Sequence, residues 1–313
     1  MTLSHLFVAA WRLLRQDWSL LFWGFWLALG AVASEFFLVT AVTFFLPRLN
    51  IPTLERPVSP VPLTSQPEDL FWQLVLGYLL PLIQVALLYW LVASMAEGAL
   101  IRSVWLATQG QERRLTLVQA AREGWQLLKQ FVAIDTLIFF PIFLVVFLLL
   151  LVLAGGIIGV VVMVMQGVAV MWVAGLFGGV LLVCLLPLMM LLLPLWVATA
   201  VMRTLAFRET AVWGGVRSSV VRAWQLLRQY WPAITILFGA GWGIRYLFSL
   251  LVQLPLLQLA ALTNWEASPF YPVLVGGLSL VMLGIYTVTQ TYFSIVWTLA
   301  YRSWHEQTNP IGR

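Results

Sequence analysis

Charge is what this chain has least of: 9% of its 313 residues are Asp, Glu, Lys or Arg, whereas 62% are hydrophobic and the mean hydropathy is +0.96. Soluble domains carry about 25% charged residues. The composition therefore excludes a surface made for water and points to a chain built for lipid. Histidine is almost absent too. His5 and His305 sit near the two ends, and no His-Glu-x-x-His pair exists, which excludes an intramembrane zinc hydrolase. A serine–histidine hydrolase needs an imidazole beside its nucleophile, and several haems need several axial ligands; the sequence supplies neither. No metal and no cofactor are expected. With Cys184 as the single cysteine, inside an apolar run, no intrachain disulfide can form.

What the chain does have is long apolar sequence. A helical crossing takes roughly 20 apolar residues, and six runs qualify: about 19 to 47, 70 to 96, 131 to 154, 178 to 202, 232 to 262 and 271 to 300. No charged residue interrupts Thr136 to Met202, so the turn between the third and fourth runs is expected among Gly155, Gly156, Gly159 and Gln166-Gly167. The basic residues divide unevenly. Arg12 and Arg15, the group from Arg102 to Lys129, the group from Arg203 to Arg228, and Arg302 with Arg313 fall on one side, leaving Arg48 and Arg56 on the other. By the positive-inside rule both ends are expected in the cytoplasm. The net charge of +5 is then expected to meet anionic lipid headgroups rather than nucleic acid. Ala31-Val32-Ala33 imitates a signal-peptide cleavage site, but the apolar run continues to Leu46, so a retained span is expected. The segment 47–69, with Pro47, Pro52, Pro57, Pro60, Pro62 and Pro67, reads as an extended external loop.

Two short motifs recur. Ala10 to Trp18 (AWRLLRQDW) returns as Ala223 to Trp231 (AWQLLRQYW) and, more loosely, as Gly124 to Val132 (GWQLLKQFV), each just before an apolar run. Leu100-Ile101-Arg102-Ser103-Val104, Val201-Met202-Arg203-Thr204-Leu205 and Ala300-Tyr301-Arg302-Ser303-Trp304 each end one. The order amphipathic helix, span, span, Arg-Ser/Thr defines three units, about 1–103, 113–204 and 212–304. Because each unit contains two spans, all face the same way, unlike the inverted repeats of many transporters. The expected fold is an all-α polytopic membrane protein, one domain over 1–313, with six transmembrane helices as three parallel repeats of amphipathic helix plus helical hairpin. In the second copy Val118, Ala121, Trp125 and Leu128 follow helical spacing, with Gln119, Glu123, Gln126 and Gln130 on another face. The motif stretches are expected as in-plane surface helices leading into the spans. Trp125 and Trp224 are expected to turn inward, and Gln126 and Gln225 outward. Trp11, Trp125 and Trp224, with Arg102, Arg203 and Arg302, form the cytoplasmic repeat motif.

Six spans paired behind short Trp- and Leu-rich helices such as Ala223 to Trp231 resemble the membrane domain carried by some bacterial glycerophosphodiester phosphodiesterases and its stand-alone integral membrane relatives. The resemblance covers most of the chain and implies a multi-pass protein of a bacterial cytoplasmic or internal membrane. It implies no hydrolysis, because the sequence has no room for the soluble phosphodiesterase barrel.

Most of the seventeen tryptophans lie near span ends, where an indole anchors at the headgroup level. Asp135, Gln84, Gln290, Gln253 and Gln258 are expected to make interhelical hydrogen bonds. Glu35 lies sixteen residues beyond Ser19 and Arg245 thirteen beyond Pro232, about 24 and 20 Å into parallel spans at ~1.5 Å per residue. Their matched depths make each the other's expected ion-pair partner. With no catalytic constellation, the expected function is a noncatalytic scaffold or accessory protein associating with membrane lipids and other membrane proteins. The alternative is a transporter or channel-like protein for a lipid or small amphiphile. The topology is directly testable: single cysteines at Gln111 and Ser65, in a Cys184→Ala background, are expected to react with an impermeant thiol reagent from opposite faces of the membrane. Labelling from one face would dismantle it.

Overall fold

Asp17 separates the first two helices. α1 (Leu3–Gln16) stops just before it, and its carboxylate accepts hydrogen bonds from the backbone N–H (3.0 Å) and hydroxyl of Ser19 at the start of α2 (Ser19–Leu29). This is the ordinary work of an acidic N-cap residue. In the computed structural model, residues 3–29, 80–109, 115–165, 190, 194–261 and 271–308 are described. After α2 come α3 (Leu80–Thr108), α4 (Leu117–Met165), α5 (194–213), α6 (Val216–Ala261) and α7 (Tyr271–Thr308). Among the described residues all regular structure is helical. Among the described residues three stretches are long and apolar enough to cross a membrane: Ala86–Thr108, Leu117–Val145 and Gly276–Gln307.

α4 departs from expectation at both ends. It starts at a capping box: the Gln119 N–H donates to the Thr116 hydroxyl oxygen (3.3 Å), and the Thr116 N–H donates to the Gln119 side-chain carbonyl (3.1 Å). From there it runs without a break through the second motif copy and Pro141 to Met165. That copy is therefore no separate in-plane helix, and Gly155, Gly156 and Gly159 are helical rather than the expected turn. Their surroundings explain this, since a backbone group in an apolar setting has no water to bond and keeps its helical partner. Gln166-Gly167, the loop 47–69 and Glu35 lie outside the described residues.

α6 also continues through its motif copy, but it bends at Tyr230, where φ is −115° and ψ is 21°. Two residues later Pro232 removes an N–H from the ladder and crowds the preceding turn, which accounts for the kink. Asp17, Phe131 and Tyr230 occupy the same motif position. The chain breaks at the first, runs straight through the second and bends at the third.

The chain forms two compact units, Met1–Leu128 with Ile236–Arg313, and Lys129–Thr235. In the first, α7 is the element on which the others pack. The Tyr292 hydroxyl donates to the Phe7 carbonyl of α1 (3.2 Å), and the two rings stack at 6.2 Å. Gly24 of α2 lies so close to Thr291 and the Thr287 carbonyl that a Cβ would collide with both. The Tyr89 hydroxyl of α3 donates to the Leu27 carbonyl (2.8 Å). In the second unit Phe131 and Phe207 stack at 3.9 Å, both fully buried.

The tryptophan faces are the reverse of those expected. Trp11, Trp125 and Trp224 are 50%, 66% and 47% exposed. Burial falls instead on the small residue before each tryptophan: Ala10 and Ala223 are fully buried, and Gly124 is buried. At Gly124 a Cβ would strike the Met95 carbonyl of α3 and crowd Ala99. Close approach of helices needs a small residue at the crossing. Once that residue faces inward, the leucines beside it follow and the indole is turned out. Gln126 and Gln225 are exposed, as expected. Gly124→Leu is expected to lower the melting temperature in detergent sharply, by overpacking of ~3 kcal/mol or more. Trp125→Ala, which empties no core site, is expected to change stability by under ~1 kcal/mol.

Candidate functional site

The three Arg-Ser/Thr elements lie inside α3, α5 and α7, and their hydroxyls are bonded in similar ways. The hydroxyls of Ser103, Thr204 and Ser303 donate to the carbonyls of Ala99, Ala200 and Ala300, each at 2.8 Å. Bonding back to the preceding turn satisfies each hydroxyl without a partner from another helix. The adjacent arginines, by contrast, each reach a carboxylate. Arg102 Nε lies 3.6 Å from Glu123 Oε2. Arg302 Nε donates to Glu306 at 2.9 Å, its Nη1 donates to the Thr108 carbonyl, and its guanidinium lies 5.9 Å from the Trp105 ring.

Arg203 makes the tightest arrangement. Its Nε donates to Asp135 Oδ1 at 2.7 Å and its Nη2 to Oδ2 at 3.2 Å, a two-pronged contact that fits a guanidinium to a carboxylate. The guanidinium also lies 4.2 Å over the Phe207 ring, which is itself stacked on Phe131. The Asp135 side chain is 4% exposed and that of Arg203 24%. Asp135 thus makes the interhelical contact expected of it, with a partner that its sequence position alone did not name.

One cluster escaped the sequence reading. Arg208, Glu209 and Thr210 are consecutive on α5, and all three are buried. Arg208 Nη1 donates to the Thr204 carbonyl (2.7 Å), and Glu209 accepts from Arg222 Nη1 of α6 (2.9 Å). A signal for this pair existed. Arg222 and Glu123 hold the same motif position, two residues before the tryptophan. Where that position is acidic its partner is Arg102; where it is basic the partner is Glu209. The turn that brings α6 back to α5 is Gly214-Gly215, at φ 74° and 84°, a left-handed backbone that glycine adopts without steric penalty. The Gly215 carbonyl then accepts from the Ser219 N–H (3.2 Å) and hydroxyl (2.6 Å).

The other expected site residues are spread out. Arg245 is half-buried in α6, with its guanidinium 5.2 Å from the ring of fully buried Tyr286. Gln84 is exposed on α3, Gln290 is half-buried on α7, and Gln253 and Gln258 lie in α6. Among the described residues no group of His, Cys, Asp or Glu is placed to hold a metal ion. Comparison with protein families, characterised proteins and solved structures finds no match to this chain.

The geometry commits the buried carboxylates to guanidinium partners and leaves Trp11, Trp125 and Trp224 exposed. Asp135→Asn strands the Arg203 charge and is expected to destabilise the protein by roughly 3 kcal/mol. The double change Asp135→Asn/Arg203→Met is expected to lose less than Asp135→Asn alone. Thermal unfolding in a fixed detergent measures both; a double mutant whose loss equals the sum of the singles means the pair contributes no coupling.

Proposed function

We propose that this protein is a noncatalytic integral membrane scaffold or accessory protein, which associates with other membrane proteins or lipids. The observation that carries this reading is the division of its polar and aromatic groups. Asp135, Glu209 and Glu123 are occupied by arginines of the same chain, while Trp11, Trp125 and Trp224 stand exposed. Charges used up internally stabilise a framework, and repeated exposed aromatic faces are contact surfaces. In this reading the chain crosses the membrane six times as three parallel units, with both ends cytoplasmic. It is then a relative of the stand-alone membrane domains that it resembles. Three helical stretches able to cross a membrane support the multi-pass part of the proposal.

One observation favours the second reading, a transporter or channel-like protein for a lipid or small amphiphile. Arg245 lies within α6 against the Tyr286 ring, and if 232–262 is a span, as this reading takes it, a cation there commonly marks a pathway. Photocrosslinking separates the readings. A photoreactive residue at position 125 or 224 is expected to yield discrete adducts with another membrane protein in living cells, whereas one at Leu127 or Leu226 yields none. Substrate flux through the purified protein in liposomes, abolished by Arg245→Gln, would instead establish transport.

A further inference from the structure

The motif copies share more than their tryptophan. Four residues after it stands a cation in every case, Arg15, Lys129 or Arg228, followed by Gln16, Gln130 or Gln229. On a helix the residues i and i+4 are neighbours on one face, so each indole and its cation form a pair one turn apart. Arg228 shows the pairing directly, its guanidinium 5.8 Å from the Trp224 ring. All three cations are exposed, and among the described residues none has a carboxylate partner. That sets them apart from Arg102, Arg203, Arg222 and Arg302, each of which is paired.

We propose that each Trp-x-Leu-Leu-(Arg/Lys)-Gln face is a binding site for one anionic phospholipid headgroup. The inference rests on the membrane placement proposed above and not on the scaffolding role. Position supports it: Lys129 stands just before the apolar part of α4, and α4 continues from it as one helix. In the span proposed for 131–154 the cation falls where the hydrocarbon ends and the phosphates begin. The chemistry fits, because a phosphodiester offers anionic oxygens to a guanidinium or ammonium, while an exposed indole is at home at the same level. Recurrence chooses lipid over an acidic protein segment. The same pair stands at the head of three different apolar stretches, and lipid is the ligand present at all of them. Each site lies within a single helix, so none requires a neighbour to complete it.

Native mass spectrometry of the protein released from nanodiscs tests this. From discs mixing phosphatidylglycerol and phosphatidylcholine, the wild type is expected to retain three phosphatidylglycerol molecules in preference, one for each motif copy. Arg15→Gln, Lys129→Gln and Arg228→Gln singly are each expected to remove one, and together all three. The control Arg12→Gln/Arg122→Gln/Arg217→Gln removes the same charge from exposed positions outside the pair and is expected to retain them. Equal loss in the control would show a diffuse surface field and overturn the proposal; so would equal retention of the two lipids by the wild type, or crosslinks from Arg15 and Arg228 positions to protein alone. Melting curves matched to wild type keep misfolding out of the comparison. Thiol labelling of Gln111 and Ser65 from one face would defeat the topology instead, whatever the lipid count.

Discussion

A charge removed from water must be met by an opposite charge or by hydrogen bonds, and in a chain with so few charges this constraint decides which helices become neighbours. Asp135 on α4 is nearly inaccessible to solvent, so the two-pronged contact with Arg203 of α5 binds those helices in a single register. A slip of one residue along either helix would turn the partner away by about 100°. Phe207, one turn beyond Arg203, is placed by the same register against Phe131, one turn before Asp135. The apolar packing and the ion pair therefore specify one arrangement. Net stabilisation from such a pair is small; its effect is to make wrong pairings expensive.

A second constraint acts through size. The motif's small residue, Ala10, Gly124 or Ala223, is the position that enters the interior, and at Gly124 there is space for a hydrogen alone. In a soluble protein an exposed tryptophan would be a liability. In the membrane placement proposed for it the surroundings are themselves apolar or interfacial, and an indole can point outward without losing its favourable environment. At the motif a small residue inside and a large one outside invert the usual globular pattern, and α4 also turns Leu137, Phe140, Phe143 and Leu148 outward while Phe131, Ile134 and Ile138 stay buried.

The inversion explains what could be read from residues alone. Helices and apolar stretches were legible, because low charge and long hydrophobic runs leave few alternatives to a helix. The capping box at Thr116 and Gln119 and the separator at Asp17 are local patterns that only the structure brought out. Facing was not legible: helical spacing groups Val118, Ala121, Trp125 and Leu128 on one side, yet hydrophobicity carries no sign of inside or outside when both are apolar. Val118 is 79% exposed. Glycines at 155, 156 and 159 suggested a turn on habits learned in water, where a frayed backbone finds solvent. Asp135 was recognisable as a residue needing a partner, but its partner Arg203 lies 68 positions away, and nothing in spacing joins residues so far apart. Arg222 and Glu209 were missed for a different reason, since the swap of charge at one motif position is visible only when the copies are aligned.

The two-glycine turn at 214 and 215 bears on the order in which the chain assembles. Glu209 and Arg222 are 13 residues apart, against 68 for Asp135 and Arg203. Loop closure grows as the logarithm of length, so the shorter contact is favoured by about 1.5 kcal/mol in chain entropy before any other term enters. With the backbone already reversed by two left-handed residues, the α5–α6 corner can close as soon as both strokes of it have been synthesised. The corner therefore needs nothing from α4, whereas the Asp135–Arg203 contact has to close over 68 positions.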